Sequence, residues 1–161
     1  LSIFGDSMSS DDELREATTE ILSACQDMAK QDVGAIIIID MNGDIQDTII
    51  ESGTPLGAVL SAPLLESIFN TKAHLHDGAV IVRGNKIVAA GCFLPLTQRH
   101  VNKEMGTRHR AAIGISEKYD AITVVVSEET GNVSLTIAGN ISLGITIDRL
   151  EELLDSCLNI K

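Results

Sequence analysis
Val33-Gly34-Ala35-Ile36-Ile37-Ile38-Ile39 decides the fold, because no polar residue interrupts it. A strand with one wet face alternates apolar and polar side chains. This one does not, so it is expected to be buried on both faces, at the centre of a sheet. Ala121 to Val126 has the same character and is expected to be another strand of that kind. Upstream, Ser10-Asp11-Asp12-Glu13 is a capping-box signature, Ser followed by Glu three residues on. Leu14, Ala17, Ile21, Leu22, Cys25, Met28 and Ala29 then recur at helical spacing, which predicts an amphipathic helix to about Gln31 covering one sheet face. Residues 1–9 read as a loose lead-in and 10–161 as one domain.

Downstream, Asn42-Gly43 marks a tight turn, and Ile45 to Ile50 is expected to be a strand. Ser61 to Phe69 predicts a short helix with Pro63 in its first turn. Ala79 to Val82 and Ile87 to Leu94 predict a hairpin around Arg83-Gly84-Asn85-Lys86, and Val133 to Ala138 is expected to pair with Ala121 to Val126. Further helices are expected from about Thr107 to Tyr119 and from Asp148, as its cap, to Leu158. The sum is an α/β single domain, a mixed parallel/antiparallel central β-sheet flanked by helices.

Composition narrows the function. The 161 residues are 44% hydrophobic, enough for the core of one domain and too apolar for disorder. Twelve basic residues against 23 acidic ones leave a net charge of −11, which repels phosphate backbones. The aromatics Phe4, Phe69, Phe93 and Tyr119 are too scattered to stack bases, so no nucleic-acid partner is expected. Cys25, Cys92 and Cys157 form no CxxC pair, which fits a reduced, cytoplasmic protein with the three as small buried hydrophobes. No apolar run reaches the roughly 18 residues that span a bilayer, so this segment is expected to make no membrane contact. The opening Leu1-Ser2-Ile3-Phe4 carries no Met and no signal pattern, and the chain reads as a fragment with room for an anchor or regulatory segment upstream.

Three segments carry the chemistry. Arg99, Lys103, Arg108 and Arg110, with His100 and His109, concentrate cations around a single acid, Glu104. Gly106-Thr107 supplies a flexible approach and an N-cap, so Arg108-His109-Arg110 fall in a first helical turn. There positive charge opposes the helix dipole by about 0.3–1 kcal/mol per exposed group. A bound polyanion reverses that sign, with free backbone N–H groups, the Thr107 hydroxyl and two guanidinium forks pointing at it. The plain alternative is a solvated basic turn. Leu75-His76-Asp77-Gly78-Ala79 leads into a buried strand, and Asp77 fits a general base or metal ligand there, with His76 beside it. For an isolated His-Asp-Gly the plainer reading, a turn aspartate and a surface histidine, is the commoner one. Ser127-Glu128-Glu129-Thr130-Gly131 ends another buried strand. Its carboxylates suit either a solvated turn or, if that strand neighbours the one after Asp77, a shared Mg²⁺ or Mn²⁺. No Walker A loop or GxGxxG is present.

In order and spacing, Asp77-Gly78-Ala79, Gly106-Thr107-Arg108-His109-Arg110 and Ser127-Glu128-Glu129-Thr130-Gly131 resemble the diadenylate cyclase (DAC) domain family. The resemblance runs from about residue 14 to 138 and takes in Leu56 to Phe69 and Cys92-Phe93-Leu94-Pro95-Leu96. It is nearest the bacterial one-domain cyclic di-AMP synthases. It implies an enzyme that condenses two ATP into the second messenger cyclic di-AMP and two pyrophosphates. On that likeness Asp77 helps deprotonate the ribose 3′-OH, and Gly78, Arg108, His109 and Arg110 complete the catalytic set. Gly106, Thr107, Arg108, His109 and Arg110 hold the triphosphate, with Gly78, Ser127 and Glu128 at its edge. Phe93 and Leu94 line the adenine pocket, and Asp77, Glu129 and His76 bind Mn²⁺, Mg²⁺ or Co²⁺. The chemistry agrees, because a ribose hydroxyl needs a metal to lower its pKa and the α-phosphorus needs cationic clamps. A reaction in which each nucleotide is attacker and target implies a homodimer. A noncatalytic nucleotide sensor and a metal-dependent phosphohydrolase remain open alternatives. The location implied is cytoplasmic, tethered to a membrane where an anchor precedes this segment.

Overall fold
A computed structural model describes residues 10–98 and 105–159. The lead-in 1–9 and the loop residues Arg99, His100, Lys103 and Glu104 lie outside the described residues. The elements are α1 (Ser10–Lys30), β1 (Ala35–Asp40), α2 (Asp47–Glu51), β2 (Thr54–Val59), α3 (Ala62–Phe69), β3 (Ala79–Arg83), β4 (Lys86–Cys92), α4 (Thr107–Lys118), β5 (Ala121–Val126), β6 (Val133–Ile137), β7 (Asn140–Ile145) and α5 (Ile147–Cys157). A single 3₁₀ turn, His74–His76, precedes β3.

The strands form one seven-stranded sheet in the order β2-β4-β3-β1-β5-β6-β7. β1 is central, as its sequence requires, and all six of its residues are buried. It runs parallel to β3 and antiparallel to β5. Its alternate residues serve two cores. Ile37 and Ile39 pack with Ile21 and Met28 of α1, Leu65 and Phe69 of α3, and Leu150 and Leu154 of α5. Ile36 and Ile38 pack on the opposite face with Ala111 and Ile115 of α4. Each buried isoleucine contributes about 1.5–3 kcal/mol relative to exposure, so this strand alone anchors both layers.

Several expectations are corrected. Ile45 to Ile50 is not a strand: Ile45 is buried and Asp47–Glu51 form the single-turn helix α2. The cause is Asp40, whose fully buried carboxylate accepts from Asp44 N–H at 3.2 Å, Ile45 N–H at 3.4 Å and Arg83 Nε at 2.8 Å. That pins a turn, after which Ile45, Ile49 and Ile50 meet the α4-side core. β2 and β7 lay outside the expected strands. Pro55 and Gly57 in β2 disfavour strand formation, and it survives as an exposed edge, bulged between Pro55 and Ala58. β4 ends at Cys92, short of Leu94. The cap of α5 is Thr146, whose side chain accepts from Arg149 N–H at 3.0 Å, and not Asp148. Cys25 and Cys92 are buried, but Cys157 is only half-buried.

Candidate active site
The parallel β1–β3 pair and the antiparallel β1–β5 pair bring the start of β3 and the end of β5 to the same end of the sheet. Ala35 faces Val126, and Ile37 faces Val80. Asp77 therefore emerges on one side of the start of β1 and Ser127 on the other. The two strands are not neighbours, contrary to the arrangement a directly shared cation called for, since β1 lies between them. α4 delivers its N-terminus to the gap. A cavity of about 570 Å³ opens there, within the range of small-molecule sites. Asp77, Gly78, Phe93, Leu94, Gly106, Thr107, Arg108, His109, Ser127, Glu128 and Glu129 all line it.

Local sequence explains how each side chain is aimed. Gly78 has φ +105°, and a Cβ there would lie 2.7 Å from the Cys92 carbonyl oxygen and 2.7 Å from the Gly91 carbonyl carbon. Only glycine lets β3 start this close to β4, where the pairing register shifts between Ala79 and Ile81. Asp77 is thereby turned out of the strand into the cavity. Among the described residues its carboxylate takes no hydrogen bond or ion pair, so both oxygens are available. On the far side, the Ser127 hydroxyl accepts from Glu129 N–H at 3.3 Å and Thr130 N–H at 3.4 Å, which folds the 127–131 loop onto itself. Glu128 and Glu129 are left exposed at the rim.

Gly106, not Thr107, is the N-cap of α4, and no side chain caps that end. Arg110 N–H makes the first helical bond, to Gly106 O at 3.2 Å, so the amides of Thr107, Arg108 and His109 have no helical partner. These amides, the positive end of the helix dipole and a first turn without acids are suited to an anion. The Arg108 guanidinium lies 3.3 Å from the Glu128 carboxylate. His109 is buried. Burial first, and the Arg108 charge second, lower its pKa, while Glu129 pulls the other way. Both the burial and the neighbouring guanidinium thus favour the neutral imidazole.

Two expected site residues stand apart. His76 does not line the cavity; its Nδ1 donates to the Ala73 carbonyl at 2.6 Å. Arg110 also lies outside the lining, exposed on the next side of the helix, and its carbonyl accepts from Thr97 N–H at 3.1 Å. Ile36 and Ala111 line the cavity without having been singled out, and Cys92 and Leu96, which carried the resemblance but were given no role, line it too. Their apolar character gave no signal beyond core packing. Gly34 does not line the cavity but lies against Arg108, and it carried a signal: a glycine at the head of a doubly buried strand implies a close approach by another group.

A family model described as "DisA bacterial checkpoint controller nucleotide-binding" (DAC) matches residues 22–141, which contain every cavity-lining residue. The chain belongs to the DAC family. Its members include the cyclic di-AMP synthase CdaA of Bacillus subtilis, 45% identical over 147 residues, which span 90% of this chain and 54% of that protein. The diadenylate cyclase CdaS of Bacillus thuringiensis is 50% identical over 125 residues, 77% of this chain and 62% of that one. The DAC chain thus spans about half to two thirds of the length of these curated relatives. A crystal structure of a DacA double mutant from Staphylococcus aureus superposes with a TM-score of 0.85 at 42% identity, covering 89% of this chain and 96% of that one. A protein from Bacillus cereus described as a hypothetical membrane spanning protein gives 0.77 at 47% identity, over 81% and 64% of the two chains.

Proposed function
We propose that this DAC domain is a diadenylate cyclase, joining two ATP molecules into cyclic di-AMP with release of two pyrophosphates. The observation that carries the reading is the meeting, in one cavity, of an unpaired Asp77 carboxylate with the uncapped, arginine-bearing N-terminus of α4. The names of the relatives support the same activity.

In this reading the triphosphate lies against the free amides of Thr107, Arg108 and His109, with the Arg108 guanidinium exchanging Glu128 for phosphate oxygens. Phe93 and Leu94 cover the adenine. Asp77 faces the ribose edge and accepts the 3′-OH proton as that oxygen attacks the α-phosphorus of the other ATP. The O3′–Pα bond forms, the bond from Pα to the bridging oxygen breaks, and pyrophosphate leaves with that electron pair. Two such steps close the ring. One cavity of this size suits one nucleotide, so the reading places two copies face to face. Arg110, exposed beside the cavity mouth, then sits where it can reach phosphate from the rim.

Among the described residues no three metal-ligating side chains gather, and Asp77 and Glu129 stand on opposite sides of β1, so a Mg²⁺ or Mn²⁺ would be held by one or other of these hard carboxylates together with phosphate oxygens of the nucleotide. When bound, the cation lowers the hydroxyl pKa and neutralises phosphate charge. His76, tied to Ala73, is the weaker candidate ligand. No helix among the described residues is long and apolar enough to cross a membrane. The greater length of the relatives supports a further segment, an anchor or regulator, outside this domain.

The test is incubation of concentrated protein with ATP and Mn²⁺, with chromatography of the products. Cyclic di-AMP is expected, and its loss in Asp77→Asn with ATP binding retained. ADP and phosphate would mean a phosphohydrolase, and bound but unchanged ATP a sensor.

A further inference from the structure
We infer that Gly34 is a positioning residue for Arg108: the space its side chain would fill is the seat of the Arg108 guanidinium, and that seat aims the guanidinium into the cavity. The consequence for nucleotide binding rests on the reading above, in which Arg108 grips phosphate.

Gly34 is buried and immediately precedes β1. It is absent from the glycines with positive φ, so its backbone has no need of glycine. Alanine would even be favoured there through the unfolded chain. What excludes a Cβ is one side chain. The atom would lie 2.5 Å from Arg108 Nη1, 2.6 Å from Cζ and 3.0 Å from Nε. All three nearest neighbours belong to the guanidinium and its attachment, and none to backbone. Gly78 differs in this respect, since its neighbours are main-chain atoms of β4.

The seat also has the right place. Gly34 adjoins Ala35, which pairs with Val126, the residue before Ser127. β3, with Asp77 just ahead of it, runs along the other side of β1. A planar group lying over Gly34 is therefore centred between the two carboxylate-bearing segments. Glu128 holds its Nη1 at 3.3 Å, and only 22% of the Arg108 side chain is exposed. A methyl group at residue 34 would lift the guanidinium by about 1 Å to reach ordinary contact distance. Displacement of that size is enough to spoil a directed, charge-assisted contact.

The test is a double-mutant cycle of Gly34→Ala and Arg108→Ala, read in two independent ways. In thermal unfolding without nucleotide, Gly34→Ala is expected to give no gain in Tm while Arg108 is present. In the Arg108→Ala background it is expected to raise Tm by about 1–4 °C, because the clash is gone and the entropic advantage of alanine remains. Equal Tm changes in both backgrounds would overturn the inference. In calorimetry with α,β-methylene ATP, Gly34→Ala is expected to weaken binding about tenfold, the scale of one charged hydrogen bond, with no further loss when Arg108 is already alanine. Adenosine affinity should not move. Equal weakening in both backgrounds, or equal weakening for adenosine, would count against Gly34 acting through Arg108. A wild-type domain that binds no analogue would defeat the cyclase reading, and the Tm cycle would still decide the role of Gly34.

Discussion
Replacing Gly78 with alanine puts a methyl group where two backbones meet. At φ +105° an L side chain is strained, at a cost of about 1–3 kcal/mol. The new Cβ would also lie 2.7 Å from the Cys92 carbonyl oxygen and 2.7 Å from Gly91 C. β4 is held between β2 and β3 and has no direction in which to retreat, so overpacking adds about 1–3 kcal/mol. The sum is about 2–6 kcal/mol, which for a chain of this length lowers Tm by about 4–24 °C. Any relief comes from moving the start of β3, and Asp77 moves with it. A shift near 1 Å at that carboxylate is expected to cost about a hundredfold in turnover. Circular dichroism melts give the first quantity, and cyclic di-AMP formation well below the melting point gives the second. A variant melting within about 2 °C of the parent with unimpaired turnover would refute the claim that this close approach aims Asp77.

Three further outcomes follow from the same geometry. His109 has a lowered pKa in the folded state, so the unfolded chain binds the extra proton first as pH falls. Its stabilisation is complete above about pH 6.5 and is lost as pH drops through the lowered value; melts at pH 7.5 and 5.5 should differ less in His109→Gln than in the parent. Arg83→Ala strands the buried Asp40 carboxylate; because Arg83 is one-third exposed and water can enter, the loss should be about 2–3 kcal/mol, less than for a fully buried pair, in urea unfolding with nucleotide binding intact. Ala138, at φ +50° in the β6–β7 turn beside Gly139, is strained, and Ala138→Asn should raise Tm by about 2–4 °C.

The centre of the fold was legible in the sequence because Val33–Ile39 carries no polar residue and Ala121–Val126 only the β-branched Thr123, and a two-sided burial explains both. The site was legible for a related reason. Asp77, Arg108 and Ser127 each stand at the end of an element whose interior is apolar, and element ends are where a sheet gathers polar groups. What stayed hidden depended on partners distant in sequence. Ile45 to Ile50 is too short for periodicity to separate strand from helix, and the deciding contact comes from Asp40 and Arg83. Strand order is not a local property, so the insertion of β1 between β3 and β5 left no trace in the motifs. The edge strands β2 and β7 are exposed and contain Gly57 and Gly144, so they lack the apolar pattern that announces a strand. Gly34 matters only through a side chain 74 positions away.

Gly114 sets two effects of opposite sign against each other. It lies inside α4, where alanine is better than glycine by about 1 kcal/mol. Yet a Cβ there would fall 2.5 Å from the Pro95 carbonyl oxygen, 3.0 Å from Thr97 N and 3.1 Å from Leu96 C. These belong to the stretch after β4 that carries Leu94 and Leu96 into the cavity wall, fastened to α4 by Thr97 N–H donating to Arg110 O. That stretch belongs to no strand and yields before the helix does. Gly114→Ala should therefore keep α4 and displace residues 95–97 by about 1 Å. Losing the Thr97 bond costs about 0.5–1.5 kcal/mol, which nearly cancels the helical gain and leaves Tm within about 2 °C of the parent. ATP affinity should fall all the same, about tenfold, because one wall of the adenine side has moved. Unchanged affinity would mean that this wall does not touch the nucleotide, and a Tm lower by about 10 °C would mean that the stretch is as rigid as the strands beside it.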